Sequence, residues 1–372
     1  MTPVPAPALP ARSDVRALVE DYLARHPAER VPLRPLLTAL DAAAEPTSRA
    51  TLPGHVTCSA VVVDRNRRVL HVRHRATGLV LPPGGHVEPG DRTLLATVLR
   101  EVAEETGIRP GALCLTARYL GTPIDIDVQE TAPDPLRGES AHRHYDLRFV
   151  LCLADDGPPP LTLDDARASH AQWRSFADVT SPSLRAKLLA AEDDGIDGID
   201  RGDAGDGLDG LPRPVNASAL IHDNSGRYLL HLRDNYPHIW EPGAFALLGG
   251  GREPADSSLE ATLLRELGEE VPELRLSDLT PFAVERATGV DGLCVPVQVF
   301  AGRWNGDPDT LTLNEGVLLR WFEPAMLHRL RLHPSTIALV HRHAARTDPP
   351  ERPAGQALEG TQPLDGTRPR PA

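Results

Sequence analysis

The chain has 372 residues, 41% of them hydrophobic, and a formal charge of −13; that length suits two or three domains with ample apolar material for their cores. The acidic balance argues against a general nucleic-acid or anionic-membrane surface, which needs a basic patch, and neither a signal peptide nor a membrane-spanning run is expected. Four cysteines (Cys58, Cys114, Cys152 and Cys294) are far apart with no paired spacing, so buried free thiols in a reducing, cytoplasmic setting are expected.

Residues 1–12, rich in Pro and Ala, read as a disordered tail. A helical extension is expected at 13–50. Val15, Leu18, Val19, Tyr22 and Leu23 recur at helical spacing up to Pro27, and a second helical run covers 33–44. A lid, a dimer contact and packing on the first domain are all open roles, packing being the simplest.

A first domain is expected at 51–192. Runs 55–64 and 68–75 read as a hairpin joined by Asp64-Arg65-Asn66-Arg67, and 79–81 as a short strand. Gly84-Gly85 then leads through Pro89-Gly90-Asp91 into a helix capped by Gly107. One stripe of that helix carries Leu95, Val98, Leu99 and Val102; another carries Glu101, Glu104 and Glu105. Like charges on adjacent turns repel unless a cation joins them, and a hard divalent ion, most simply magnesium, suits oxygen ligands. An ordinary charged surface helix is the plain alternative. Beyond it, 113–121, 122–128, 144–153 and 172–176 read as strands, 183–192 as a closing helix, and 129–142 as a loop near the site. His142, His144, Asp146 and Arg148 alternate with their neighbours and share one strand face. Substrate recognition, a further metal ion and a plain exposed face all fit that pattern.

Residues 193–212, with an aspartate every third position from Asp194 to Asp209, read as a flexible acidic linker in preference to a calcium loop. A second domain is expected at 213–345, with strands at 215–223, 227–233, 295–304 and 317–322, a helix at 334–344 and a longer loop, 235–245, containing Trp240. Residues 346–372 read as a disordered tail. In the second domain Gly249-Gly250, Asp256, Arg265, Glu266, Glu269 and Glu270 each lie 165 positions after Gly84-Gly85, Asp91, Arg100, Glu101, Glu104 and Glu105. A period that long means two copies of a whole domain. Arg73 and Arg233 match at the ends of the second strands and suit either substrate phosphate or a solvated strand end.

These two stretches resemble the Nudix hydrolase signature, in which a glycine, an acidic residue, Arg-Glu and a Glu-Glu pair follow at set spacings. One departure is shared by both copies: the eight residues between Asp91 and Arg100, and between Asp256 and Arg265, are one more than the family pattern has. The resemblance implies an α/β fold of two tandem Nudix-type α/β/α sandwich domains with mixed sheets. It implies metal-dependent hydrolysis of the diphosphate bond of a nucleoside diphosphate linked to another group, hence a small phosphorylated substrate. Mg2+ or Mn2+ would be held by Glu101, Glu104, Glu105 and a carbonyl of Gly84 or Gly85, and in the second copy by Glu266, Glu269, Glu270 and Gly250. Arg100 and Arg265 would pair with Asp91 and Asp256. Glu315 is the candidate general base of the second copy; in the first, Asp165, His170 or a box glutamate would serve. Pro272 stands where the family has glycine and should fray the helix end at Glu270, so the first copy is expected to be the more active. The rival readings are a non-catalytic nucleotide sensor and an isoprenoid diphosphate isomerase using Cys58.

Overall fold

The computed structural model describes residues 9–75, 77–133, 140–155, 157–191, 213–236, 240–253, 255–289 and 291–347. The expected acidic linker, residues 1–8 and 348–372 of the two expected tails, and parts of the loops 129–142 and 235–245 lie outside the described residues.

Two helices, α1 (Arg12–Arg25) and α2 (Arg34–Asp41), precede β1 (Gly54–Val63), β2 (Arg68–His74), β3 (Val80–Leu81) and β4 (Gly84–His86). Then come α3 (Leu94–Thr106), β5 (Leu113–Cys114), β6 (Pro123–Thr131), β7 (His142–Leu153), β8 (Ala168–Ser175) and α4 (Pro182–Ala190). The second half runs β9 (Asn216–His222), β10 (Tyr228–Leu232), β11 (Phe245–Ala246), β12 (Leu248–Gly251), α5 (Leu259–Glu270), β13 (Ser277–Thr288), β14 (Cys294–Arg303), β15 (Leu318–Phe322) and α6 (Pro334–Thr347).

The halves repeat the same pairings, except that β5 has no counterpart in the second half. β1 runs parallel to β7 and antiparallel to β2 and β4, while β6 flanks β7 and β8 flanks β2. In the same way β9 runs parallel to β14 and antiparallel to β10 and β12, with β13 on β14 and β15 on β10. Each mixed sheet lies between helices. In the first domain α3 packs Val98 and Val102 with Val56, Cys58 and Ala60 on one face, and α4 packs Leu184 and Leu188 with Val61, Val63 and Val69 on the other. Alternate strand residues therefore feed two separate cores, which is why β1 is buried almost throughout. α5 and α6 do the same for the second domain.

The N-terminal helices join the first core through Val15, Val19, Tyr22, Leu36 and Leu40, so packing is the role the structure gives them. Several elements differ from expectation. The run 113–121 is a two-residue strand followed by a short turn at Ala117–Tyr119. The Gly-Gly turn is itself a strand edge, Gly84 and Gly85 pairing with Ser59 and Cys58. β13 was not foreseen: it contains Pro281, and register shifts interrupt its pairing with β14, so no clean alternation marks it. Three cysteines that are remote in sequence meet in one buried cluster. Cys114 pairs with Cys152 across β5 and β7, and Cys294 pairs with Cys114 where the two sheets join.

Arg148 is 4% exposed and binds Asp125 at 2.7 Å, Asp127 at 2.7 Å and Asp146 at 3.0 Å. The Ser59 hydroxyl donates to Asp146 as well. Withdrawing the cation would strand buried carboxylates, so Arg148→Met should destabilise the first domain by about 3–5 kcal/mol. A lowered urea midpoint with an unchanged slope would register that loss.

Candidate active site

Thr93 caps α3 by accepting from Ala96 N–H, and Gly107 closes it in the left-handed region at φ 74°. These two stops fix the rotation of the helix. Leu94, Val98, Leu99 and Val102 seat it on the sheet, and Glu101 and Glu105 then face the Gly84-Gly85 strand at 4% and 3% exposure. The Gly84 amide donates to Glu105 Oε2 at 3.2 Å. A side chain at Gly85 would collide with the Glu101 carboxylate, so glycine there makes room for an acid.

Arg100 ties the turn to the helix. It binds both oxygens of Asp91 (3.2 and 2.9 Å) and donates to the His86 carbonyl at 2.8 Å. It also reaches Glu101 at 2.8 Å and Glu104 at 3.2 Å. The expected Arg100–Asp91 pairing is therefore present, and its hydrogen bonds hold Asp91 below the usual carboxylate range against the opposing effect of burial. Arg167 was not singled out from the sequence. It arrives from just before β8 and contacts Glu104 at 2.8 Å and Glu101 at 3.3 Å. His74 Nδ1 lies 3.3 Å from Glu105 Oε1. Burial raises Glu101, and burial together with the charge of Glu101 pushes Glu105 up to about 8.

A cavity of about 660 Å³ opens here, lined by Gly84, Gly85, Glu101, Glu105, His74 and Arg167. Leu9, Thr47, Ser48 and Arg49 form another wall, so the N-terminal lead-in shapes the site as well as packing on the core. Of the other expected residues, Arg73 is exposed and donates to the Gly78 carbonyl. Asp146 is held by Ser59 and Arg148. Asp165 reaches outward to Arg75 at 3.8 Å, and His170 is exposed on β8. His142 and His144 instead join His55 and His86, with ring centroids 4.8–5.1 Å apart in each contact. Burial, reinforced by neighbouring histidines, lowers His86 to about 3 and His144 to about 4, so both rings are neutral at pH 7.

The second copy repeats the frame. Arg265 binds Asp256, Glu266 and Glu269 and donates to the Gly251 carbonyl. Gly249 N–H donates to Glu270 at 3.0 Å, and a side chain at Gly250 would strike Glu266. Burial, with the charges of Glu266 and Glu315, raises Glu270 to about 7. As Pro272 leads one to expect, Val271 leaves the helix (φ −142°, ψ 79°) and α5 ends at Glu270, one residue earlier than α3, but the end is held. Asn314 donates its amide to the Glu270 carbonyl at 2.8 Å and its side chain to the Glu269 carbonyl at 2.7 Å, replacing what a glycine cap supplies. The neighbouring cavity of about 340 Å³ is lined by Gly249, Gly250, Arg233, Trp240, Arg286 and His333 among others, and by none of the box glutamates. Arg233 lies over the Trp240 ring at 5.8 Å.

The family profile described as NUDIX domain matches residues 53–194 and again 212–343. The chain belongs to the Nudix family. It carries two tandem Nudix domains and an N-terminal helical extension. It is 27% identical over 97 residues to a probable DHNTP pyrophosphohydrolase of Lactococcus lactis subsp. cremoris, a match covering 26% of this chain and 54% of that protein; the chain thus spans about half the length of that curated relative. Among solved structures it is similar to a MutT protein from Methanosarcina mazei (23% identity, TM-score 0.30, 37% of this chain and 99% of that one). It is also similar to the Nudix domain of Shewanella oneidensis NrtR complexed with ADP ribose (17%, TM-score 0.32, 39% and 95%). No described helix of this Nudix protein is long and apolar enough to cross a membrane.

The raised Glu105 group gives a stability test. The folded state holds this proton up to about pH 8, whereas an unfolded glutamate loses it near 4.3. Folding is therefore penalised as pH rises through that interval. In chelator-treated protein the thermal midpoint should fall between about pH 5 and pH 8, and Glu105→Gln should flatten the fall.

Proposed function

We propose that the chain hydrolyses a phosphoanhydride bond in a small nucleotide-type diphosphate, with the first Nudix copy as the working centre. The observation that carries this reading is the first cavity, where Glu101 and Glu105 line the same space as the Gly84-Gly85 edge and Arg167. The family and the 97-residue likeness to a probable pyrophosphohydrolase support the same chemistry.

The donor set is chemically suited to a divalent cation such as Mg2+ or Mn2+: hard carboxylate oxygens, two of the groups buried with raised pKa and one, Glu101, set against a glycine that leaves room for it. Glu101, Glu104, Glu105 and the Gly85 carbonyl would hold it. When bound, such an ion neutralises phosphate oxygens and acidifies water. The remaining work falls to the chain. Arg167 is 40% exposed and its fork suits a phosphate once the carboxylates have another cation to bind. Arg49 faces the same cavity. Arg100 holds the turn against the helix and positions Glu101 and Glu104.

In the second copy, Glu266, Glu269 and Glu270 with Gly250 form a parallel donor set, and Glu315 is its candidate base. Its cavity, with Arg233 and Trp240 in the lining, fits a binding role for the base or sugar of a nucleotide.

The reading is tested by assaying nucleoside triphosphates, nucleotide sugars, dinucleotide polyphosphates and ADP-ribose with magnesium or manganese. Glu104→Gln/Glu105→Gln should lower kcat by on the order of a hundredfold or more, while Glu269→Gln/Glu270→Gln retains most turnover. The reverse pattern would assign the chemistry to the second copy. No turnover of any substrate by the wild type, with nucleotide binding intact, would favour the sensor.

A further inference from the structure

We propose that His55, His86 and His144, with His142 beside them, form a binding site for an imidazole-preferring transition metal, Zn2+ foremost, adjoining the carboxylate centre, whose cavity His86 also lines, but built from different donors. The fold assembles it from three adjacent strands. His55 and His144 are direct partners on the parallel pair β1 and β7, and His86 ends β4 on the other side of β1. One ring nitrogen from each of His55, His86 and His144 lies within 4.8 Å of the other two, and among the described residues this is the one set of three such groups so placed.

The hydrogen bonds on the far side of the rings fix what faces inward. His55 Nδ1 lies 3.2 Å from the Thr51 carbonyl, and His142 Nδ1 lies 2.7 Å from the Ser140 carbonyl. A carbonyl only accepts, so each Nδ1 carries the hydrogen, and in a neutral ring Nε2 then presents its lone pair. In the metal-free chain His144 Nε2 donates to His142 Nε2 at 3.0 Å and His144 Nδ1 accepts from the Thr131 hydroxyl at 3.4 Å, so an ion that takes His144 Nε2 requires the hydrogen of that ring to move to Nδ1, where the Thr131 oxygen can accept it. Histidine ligands to metals commonly have their second nitrogen anchored to a carbonyl in this manner. Neutral imidazoles favour zinc and its neighbours over magnesium, which prefers oxygen. His55, His86 and His142 line a cavity of about 290 Å³ together with Arg49 and Ser140, which brings an ion up to the edge of the cluster. The Arg49 charge opposes a cation there, so the nitrogen ligands must outweigh it.

The second domain supplies an internal contrast. Its register places Pro214, Gly251, Leu293 and Val295 where the first domain has His55, His86, His142 and His144. The fold is completed without histidine at these positions, so packing alone does not account for four of them together. Because His86 follows Gly85 directly, an ion here would also brace the strand edge against which Glu101 is pressed.

The experiment uses the full chain, stripped by chelator and titrated with Zn2+ against a chromophoric indicator. The wild type should take up one tightly bound zinc per chain, and His144→Ala should weaken that affinity by at least about tenfold. Glu104→Gln/Glu105→Gln should leave it unchanged. Equal zinc affinity in His144→Ala and wild type would overturn the proposal, as would loss of zinc in the glutamate variant alone. Should His144→Ala fail to fold, the Co2+ complex of the wild type decides. Intense visible absorption of a tetrahedral nitrogen-rich site supports the assignment; only the weak absorption of octahedral Co2+ refutes it.

Discussion

Each Nudix copy is built around a carboxylate pressed into the space a glycine leaves open. Glu101 lies against Gly85 and Glu266 against Gly250, so close that a methyl group at either glycine would displace the acid. The contact requires the helix to sit at one height and one rotation over the strand. That is why the caps, the apolar stripe of α3 and the Arg100 fork all serve the same end. A buried carboxylate is costly unless paired. Here the pairing comes from arginines. The strain of the arrangement is electrostatic, and in the first copy it sits where the cavity opens.

The two copies meet this requirement with different charges. In the first, Arg100 and Arg167 both touch Glu101 and Glu104, and His74 stands beside Glu105. In the second, the segment corresponding to Arg167 carries Glu315, whose charge adds to that of Glu266 and Glu270. One site is therefore partly neutralised by its own chain; the other adds Glu315 to its three box glutamates, with Arg265 on Glu266 and Glu269 and the charge of Arg233 acting on Glu270. The first copy keeps basic groups available for a phosphate within reach of its acids; the second places Arg233 and Trp240 in a cavity lined by none of its box glutamates. Duplication preserved the frame while the surroundings diverged, and that divergence is what makes different roles for the two copies physically reasonable.

Local patterns made much of this visible in advance. The helix and its left-handed glycine cap depend on residues within one short stretch and could be read from spacing, while the Arg100–Asp91 pairing came from the family resemblance. The repeat made the second domain visible for the same reason. What escaped was set by pairing between distant segments. Arg167 and Arg49 reach the cavity only because β8 lies on β2 and the lead-in folds back over the first core. Arg73 looked equivalent to Arg233, yet one bonds its own hairpin while the other reaches the Trp240 loop, because the loops that follow differ in length. Asn314 compensating for Pro272 could not be read from the helix either, since it comes from a segment some forty positions away in sequence.

The strand β7 joins these themes. Its alternation was evident, but what the alternation is for depends on its neighbours. Toward the C-terminal part of that face, Asp146 and Arg148 meet Asp125 and Asp127 and form a buried ion network that ties β6 to β7 and reaches α4 through Ser181. Toward the N-terminal part, His142 and His144 meet His55 and His86 at the end of the glycine strand. A single face thus changes from a structural salt-bridge layer to a cluster of neutral imidazoles within about two turns of the pleat. The second domain carries Val295, Val297 and Val299 along the matching face, and there the sheet does without either feature. The polar face of β7 is accordingly a property of the first domain's surroundings, and it lies directly behind the edge that holds the catalytic acids proposed for that domain.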